Sequence, residues 1–388
     1  METSNNCYFD QETLTFMNLS NSNLNSNLEK IYAFDYLRAI SCIFVIALHS
    51  NIICFVKENQ IIHDLIIFNL FDLAVPLFFQ ISLILFFLKR EKQPDYFFKK
   101  RFFKLLKMYI FWGLFYQLFS WGLHFKNIDF TNIQNLIHIE ANIKNIIIFI
   151  ITDGKSPTFY FLFSLFFITS LAELFVYCLE KIKTRYQINP ELISYIFLII
   201  SCSTVFLLPL IYMKLGENFS ILTAVYNPLN FLPYIFSSFL ISKSLSSEKI
   251  NSEYNFSDQN IYYLIILFLS FFLIEWQHFN QSITWAWEVS SKEVIPTYSR
   301  VSLVICSWLI TMFSFKIKSP PPWPIKIISD FSLGIYCLHI FFVLLIIKIF
   351  PAEPYPDHIY YFIFVVLLLV TIAITKIMRS FRIFQDII

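Results

Sequence analysis

Glycine is almost missing from this chain, with five residues in 388. So small a supply argues against Gly-broken helices, the build expected of a secondary-transporter site. Charge is thin as well. Asp, Glu, Lys and Arg make up 14% of the residues, where an ordinary soluble domain carries about 25%, so water is not the main solvent. The seven cysteines show no metal-ligand spacing. Most lie inside apolar runs (Cys42, Cys54, Cys178, Cys202, Cys306, Cys337), where they serve as small packing groups, and no disulfide framework is implied. Residues 1–29 lack a basic–apolar–cleavage pattern and are rich in Asn and Ser, as expected of a flexible cytoplasmic tail. The net charge of +2 gives no sign of a nucleic-acid partner.

Hydrophobic residues are abundant, at 57% with 48 Phe. Continuous apolar runs of about 20 residues recur from end to end, long enough to cross a hydrocarbon core. They do not alternate as the strands of a membrane barrel would. The expected fold is all-α, a polytopic membrane helical bundle in the lipid bilayer with about ten transmembrane helices. They are placed near 32–55, 64–88, 102–124, 159–180, 191–213, 226–242, 260–277, 299–315, 331–349 and 359–377. The apolar stretch at 145–152 is too short to span and reads as interfacial or re-entrant. With the N-terminus inside, cytoplasmic segments hold 18 Lys and Arg against six outside. Cytoplasmic loops carry that excess, so both termini are expected in the cytoplasm of a cell or inner membrane. Residues 30–378 then form one membrane domain and 379–388 a short cytoplasmic tail, with no appended soluble module.

Arg38 and His49 stand with ten residues between them in the first apolar segment. Ionisable groups at membrane depth are costly and mark functional sites by default. Eleven helical steps return the chain to nearly the same face, so both side chains point one way, about 16 Å apart along the axis. Asp35 shares that face. Arg38 lies about 9 Å inside the cytoplasmic boundary and His49 about 25 Å, in the outer half. His49 is read either as a buried neutral histidine bonded to a neighbouring helix or as a proton acceptor.

The run FFKKRFFKLLKMY places Lys100, Arg101, Lys104 and Lys107 at the start of the third span. It is read as a positive-inside anchor, or as an inward-facing pocket for a phosphate-bearing polyanion, because Lys104 and Lys107 carry the charge into the apolar segment. Glu275 and Arg300 both fall in the outer half. They are read either as a structural ion pair or as partners of His49, with Glu275 orienting the imidazole and Arg300 holding a substrate oxygen.

Several of these stretches resemble the acyltransferase 3 family of integral membrane O-acyltransferases. FDYLRAISCIFVIALHS is similar to the family's opening helix. AVPLFFQISLILFF is similar to VPLFFxISGFLL, with Leu83 where glycine is usual. FFKKRFFKLLKMY is similar to RxxRLxPxY, matching at Arg101 and Tyr109, with Lys104 and Lys107 replacing its second Arg and its Pro. PTFYFLFSL is similar to HLWFLxxL, with Thr158 and Tyr160 replacing His and Trp. SDFSLGIYCLHIFFV matches SLGIYLIH closely, including Gly334, Tyr336 and His339. The resemblance covers residues 31–378. It implies transfer of an acyl group, acetyl from acetyl-CoA first, onto a hydroxyl of a glycan. It also implies His49 as proton acceptor, and Arg38, Arg101 and Lys104, with Lys100 beside them, against the acyl-CoA phosphates.

The expected chemistry is proton removal from an acceptor hydroxyl by neutral His49, or acyl transfer through His49 itself. Glu275 and Arg300 are expected near it, as tautomer-fixing and oxyanion-stabilising groups. No metal is implied. The rival is a proton-coupled transporter or flippase, and a third reading is a non-catalytic membrane subunit that holds a partner. The acceptor, the acyl group and the oligomeric state are left open.

Overall fold

A computed structural model describes residues 31–52, 59–124, 150–151, 159–186, 189–215, 220–246, 258–279, 296–349, 356–385 and 387–388. The expected N-terminal tail, Thr158 and most of the stretch 145–152 lie outside these residues. Among the described residues every regular element is helical. A helix satisfies its own backbone bonds, so it is the form these apolar runs can take in lipid.

Helix α1 is Tyr32–His49, with Asp35 in its first turn, where a carboxylate complements the helix dipole. Helix α2, Gln60–Leu65, is capped by Asn59, whose side chain accepts from the Ile62 N–H at 3.2 Å. A π-helical stretch, Ile66–Phe71, links it to α3, Ala74–Lys92. A second π-helical stretch, Phe97–Arg101, opens α4, Phe102–His124. There follow α5 (Tyr160–Tyr186), α6 (Pro190–Leu215), the short α7 (Ser220–Thr223), α8 (Leu232–Ser246) and α9 (Asp258–Phe279). The chain closes with α10 (Val301–Ser314), α11 (Trp323–Asp330), α12 (Ser332–Ile349) and α13 (Asp357–Ser380).

Each of the ten segments placed from the sequence holds one of the longer helices. Five stretches are long and apolar enough to cross a membrane: α1, Ile61–Lys92, α5, Pro190–Leu208 of α6, and α13. A sixth is added if α11 and Ser332–Ile346 count as one broken span. The chain is therefore a multi-pass membrane protein with five to six spanning candidates among the described residues, a coarser count than the ten expected.

The break between α11 and α12 corrects the expectation of unbroken helices. The axes turn by 74° at Phe331, whose backbone (φ −101°, ψ 9°) leaves the helical region. No glycine is needed, because side chains of α11 are held elsewhere: Ser329 Oγ donates to Asp35 at 3.0 Å and Lys326 Nζ to Asp35 at 3.3 Å.

Helix α3 lies at the centre of the bundle, packed on α1, α5, α8 and α10. Of the most apolar part of Ile61–Lys92, which ends in α3, 78% is buried, against 17% for α13, which places α13 at the rim. Rim helices carry apolar outer faces, such as Ile196, Ile199 and Ile200 on α6 and Phe362, Val365 and Leu369 on α13. An exposed apolar face of that size suits lipid and not water. Phenylalanine fills the interior: Phe79 meets Phe161 and Phe231, each at 4.7 Å between ring centroids. Buried hydroxyls turn back on their own helices, as Thr169 does to the Leu165 carbonyl at 2.6 Å and Thr375 to the Thr371 carbonyl at 2.7 Å.

Gly334 marks a close approach. A Cβ there would collide with the Thr375 side chain on α13 and with Ile388. The expected tail in fact turns back on the bundle, with Ile387 and Ile388 buried and the Trp112 indole N–H donating to the Ile387 carbonyl at 3.4 Å. Gly334→Ala is expected to overpack this junction at a cost of about 1–3 kcal/mol. A lowered midpoint of thermal unfolding in detergent would register it, and an unchanged midpoint would show that α13 shifts freely.

Candidate active site

Two polar constellations meet on α1, one near each end. At its N-terminal end, Asp35 lies 3.9 Å from Arg38 and also receives Lys326 and Ser329 from α11. Lys326 bridges on to Asp330 at 2.5 Å. From this anchored end the field of Arg38 reaches the basic groups of α3 and the second π-helical stretch. Arg38 and Arg101 act on one another electrostatically, and Lys89 feels Arg101, Arg38 and Lys100. Arg101 donates through Nη2 to Ser82 of α3, while its buried Nε has no hydrogen-bond partner among the described residues. Four cations thus share one field, and one guanidinium nitrogen among them has no hydrogen-bond partner among the described residues.

The structure thus unites three of the expected cofactor-binding residues, Arg38, Lys100 and Arg101, and adds Lys89, which the sequence offers only as one more positive charge on a loop. Lys104 is placed differently. Arg101, Leu105, Met108 and Trp112 fall at steps of four, three and four, and the last three are buried. Lys104 and Lys107 lie one position off that stripe and are exposed with Phe103 and Ile110. Their helical phase aims them at lipid headgroups, where long cationic side chains snorkel.

At the other end of α1 stands a pair of histidines. The rings of His49 and His339 lie 4.9 Å apart between centroids, tilted by 42°. Helices α1 and α12 run parallel with a constant offset: Cys42 meets the Ser332 carbonyl at 3.5 Å, and seven residues on in both helices His49 meets His339. His339 is buried, its Nδ1 lies 2.5 Å from the Tyr336 carbonyl, and its Nε2 has no hydrogen-bond partner among the described residues.

Glu275 and Arg300 share a third set of contacts. Glu275 accepts from the Ser302 N–H at 3.3 Å and from the Ser302 hydroxyl, a carboxylate cap on the N-terminus of α10. Arg300 reaches Asp72 Oδ2 at 3.6 Å, donates from Nε to the Thr297 carbonyl at 3.1 Å, and bonds the Phe68 carbonyl. The field of Arg300 also acts on Glu275. Asp72 follows directly on the first π-helical stretch, which carries the chain round to Arg300 through its widened turn. Tyr160, standing where the motif has Trp, stacks between Phe231 and Tyr298, each at 6.2 Å. Among the described residues no three of His, Cys, Asp and Glu converge as a metal site.

The family model described as an acyltransferase domain matches residues 31–377, and the chain belongs to that family. No curated protein and no solved structure matches it.

Proposed function

We propose that this acyltransferase-family chain is a membrane O-acyltransferase, taking an acyl group, acetyl first, from a CoA thioester on the cytoplasmic side. The acceptor is a hydroxyl of a sugar or cell-surface polysaccharide precursor. The observation that carries this reading is the electrostatic coupling of Lys89 to Arg38, Lys100 and Arg101, with the buried Nε of Arg101 lacking a hydrogen-bond partner among the described residues. CoA carries several phosphate groups on one end and its reactive thioester on the other. With the phosphates held at Arg38, the thioester arm points along α1 toward His49, about 16 Å farther on.

Neutral His49 takes the proton from the acceptor hydroxyl as that oxygen bonds to the acyl carbon. The carbon–sulfur bond breaks, and the imidazolium returns the proton to the departing CoA sulfur. In the variant, a His49 nitrogen attacks the thioester carbon, the carbon–sulfur bond breaks and CoA leaves as the thiol with the imidazole proton. The acceptor hydroxyl then takes the acyl group from the acyl-imidazole and returns its proton to His49. Glu275 and Arg300 act here as supports for the outer ends of α9 and α10.

A ten-helix crossing with both termini cytoplasmic fits this direction. It is supported by contacts that join ends the charge distribution assigns to one side. Lys243 meets Glu91 at 2.7 Å inside, Arg300 meets Asp72 outside, and α1 runs parallel to α12. The 74° break favours a transporter in form. Its inner side, however, is closed by Asp35, Lys326 and Ser329.

Acetyl-CoA binding to the purified protein by calorimetry tests the reading. Arg38→Ala and Arg101→Ala are each expected to weaken it about 10–100-fold, as loss of a charge-assisted phosphate contact does. Lys104→Ala on the exposed face is expected to change it by no more than about threefold. Wild-type protein that neither binds nor consumes acetyl-CoA yet moves a substrate across vesicles would replace the enzyme by the transporter.

A further inference from the structure

An imidazole that acts as a base at membrane depth needs a partner for its other nitrogen, and carboxylates usually supply one. Here the ring beside that of His49 is another imidazole, His339, with centroids 4.9 Å apart. The state of His339 follows from its surroundings. Its Nδ1 sits 2.5 Å from the Tyr336 carbonyl, which can only accept, so Nδ1 carries the proton. Nε2 is then a bare lone pair, buried and without a hydrogen-bond partner among the described residues. A buried acceptor left unmet costs free energy, so such a group is either strained or waiting for a donor.

The donor within reach is the N–H of His49. Two imidazoles joined by an N–H···N bond of about 2.9 Å have ring centroids near 5 Å, close to the 4.9 Å seen here.

We propose that His339 is the positioning residue for His49, doing with a neutral imidazole what a carboxylate does in a catalytic triad. The proposal rests on the reading of His49 as the base. Tyr336 O holds His339 in one tautomer, and His339 Nε2 accepts the His49 N–H. The remaining nitrogen of His49 is thereby left as a lone pair for the acceptor hydroxyl. When His49 takes that proton, its N–H bond to His339 becomes charge-assisted and the positive charge is stabilised without a buried anion. Ile46 and Ile335, on the same two helices, belong to an apolar cluster with Leu367. An uncharged partner avoids the desolvation cost that a resting carboxylate would meet there.

Substitutions at His339 separate this role from packing. Phe fills the site but offers no acceptor; Gln is a poorer filling with a carbonyl that can take the His49 N–H. A packing role ranks Phe at or above Gln, and a positioning role ranks Gln above Phe. The first readout is the rate at which diethyl pyrocarbonate modifies His49, followed by mass spectrometry of the His49 peptide. It requires neither CoA nor acceptor. His339→Phe is expected to slow it about tenfold, with His339→Gln recovering much of the loss. His339→Leu replaces Phe if that variant does not fold. The second readout is steady-state transfer from acetyl-CoA, where His339→Phe is expected to lower kcat about 10²-fold at an unchanged KM for the donor. Phe equal to or above Gln in His49 reactivity overturns the proposal. A wild-type protein without acetyl-CoA turnover overturns the acyl-transfer reading alone, because the reactivity ranking still decides the pair.

Discussion

Replacing His49 with alanine is expected to lower acyl transfer by about 10²–10⁴-fold, the usual worth of a positioned general base. Acetyl-CoA binding is expected to stay nearly unchanged, because Arg38, in the proposed phosphate site, lies about three helical turns away. The separation follows from one helix carrying two duties. Tyr32–His49 is an unbroken run of 18 residues, so a change at its outer end does not disturb the Asp35–Lys326–Ser329 anchor at its inner end. Calorimetry for binding and a thiol-release assay for turnover read the two ends independently. A fall in donor affinity equal to the fall in rate would place His49 in binding and remove it from the chemistry. His49→Gln keeps polarity and most of the volume without a titratable nitrogen, and is expected to be equally inactive.

The largest loss of stability is expected from Arg90→Ala. Arg90 is buried, and its Nε donates to both oxygens of Glu173 at 3.1 Å, while Nη1 and Nη2 grip Glu180 in a fork at 3.0 and 3.1 Å. Glu173 is 7% exposed. Removing the guanidinium leaves that carboxylate buried without its partner, at an expected cost of about 3–5 kcal/mol. Glu180 is 57% exposed at the side chain, so Glu180→Ala is expected to cost only about 0.5–1 kcal/mol. An apolar pair, Arg90→Met with Glu173→Leu, is expected to recover most of the stability, since no buried charge then remains. Chemical denaturation in mixed micelles compares the four proteins. Equal losses for Arg90→Ala and Glu180→Ala would mean that water reaches Glu173.

The placement of the helices was readable because membrane depth imposes a strong length rule on apolar runs. Functional candidates were readable for the same reason, since a charge inside such a run is exceptional. Arg38 and His49 stood out on that ground, and Arg101 through the basic run and motif beside the third segment. Lys104 did too, and its helical phase sends it outward. The clue lay in Leu105, Met108 and Trp112, which mark the buried stripe that Arg101 shares and Lys104 misses. Lys89 and Arg90, adjacent in sequence and alike in charge, have opposite fates. One joins the cation cluster, and the other locks α3 to α5. Nothing local distinguishes them, because the difference is which helix happens to stand opposite each.

The sequence alone determined the solvent, the all-helical build, the ten helical segments and the acyltransferase resemblance, since each depends on composition or spacing along one segment. Only the tertiary structure decided the partners. Glu275 caps α10, Arg300 meets Asp72, and His49 meets His339 through a parallel pairing of helices 290 residues apart. A pairing of that kind rests on the register between two helices, a relation that neither helix carries by itself.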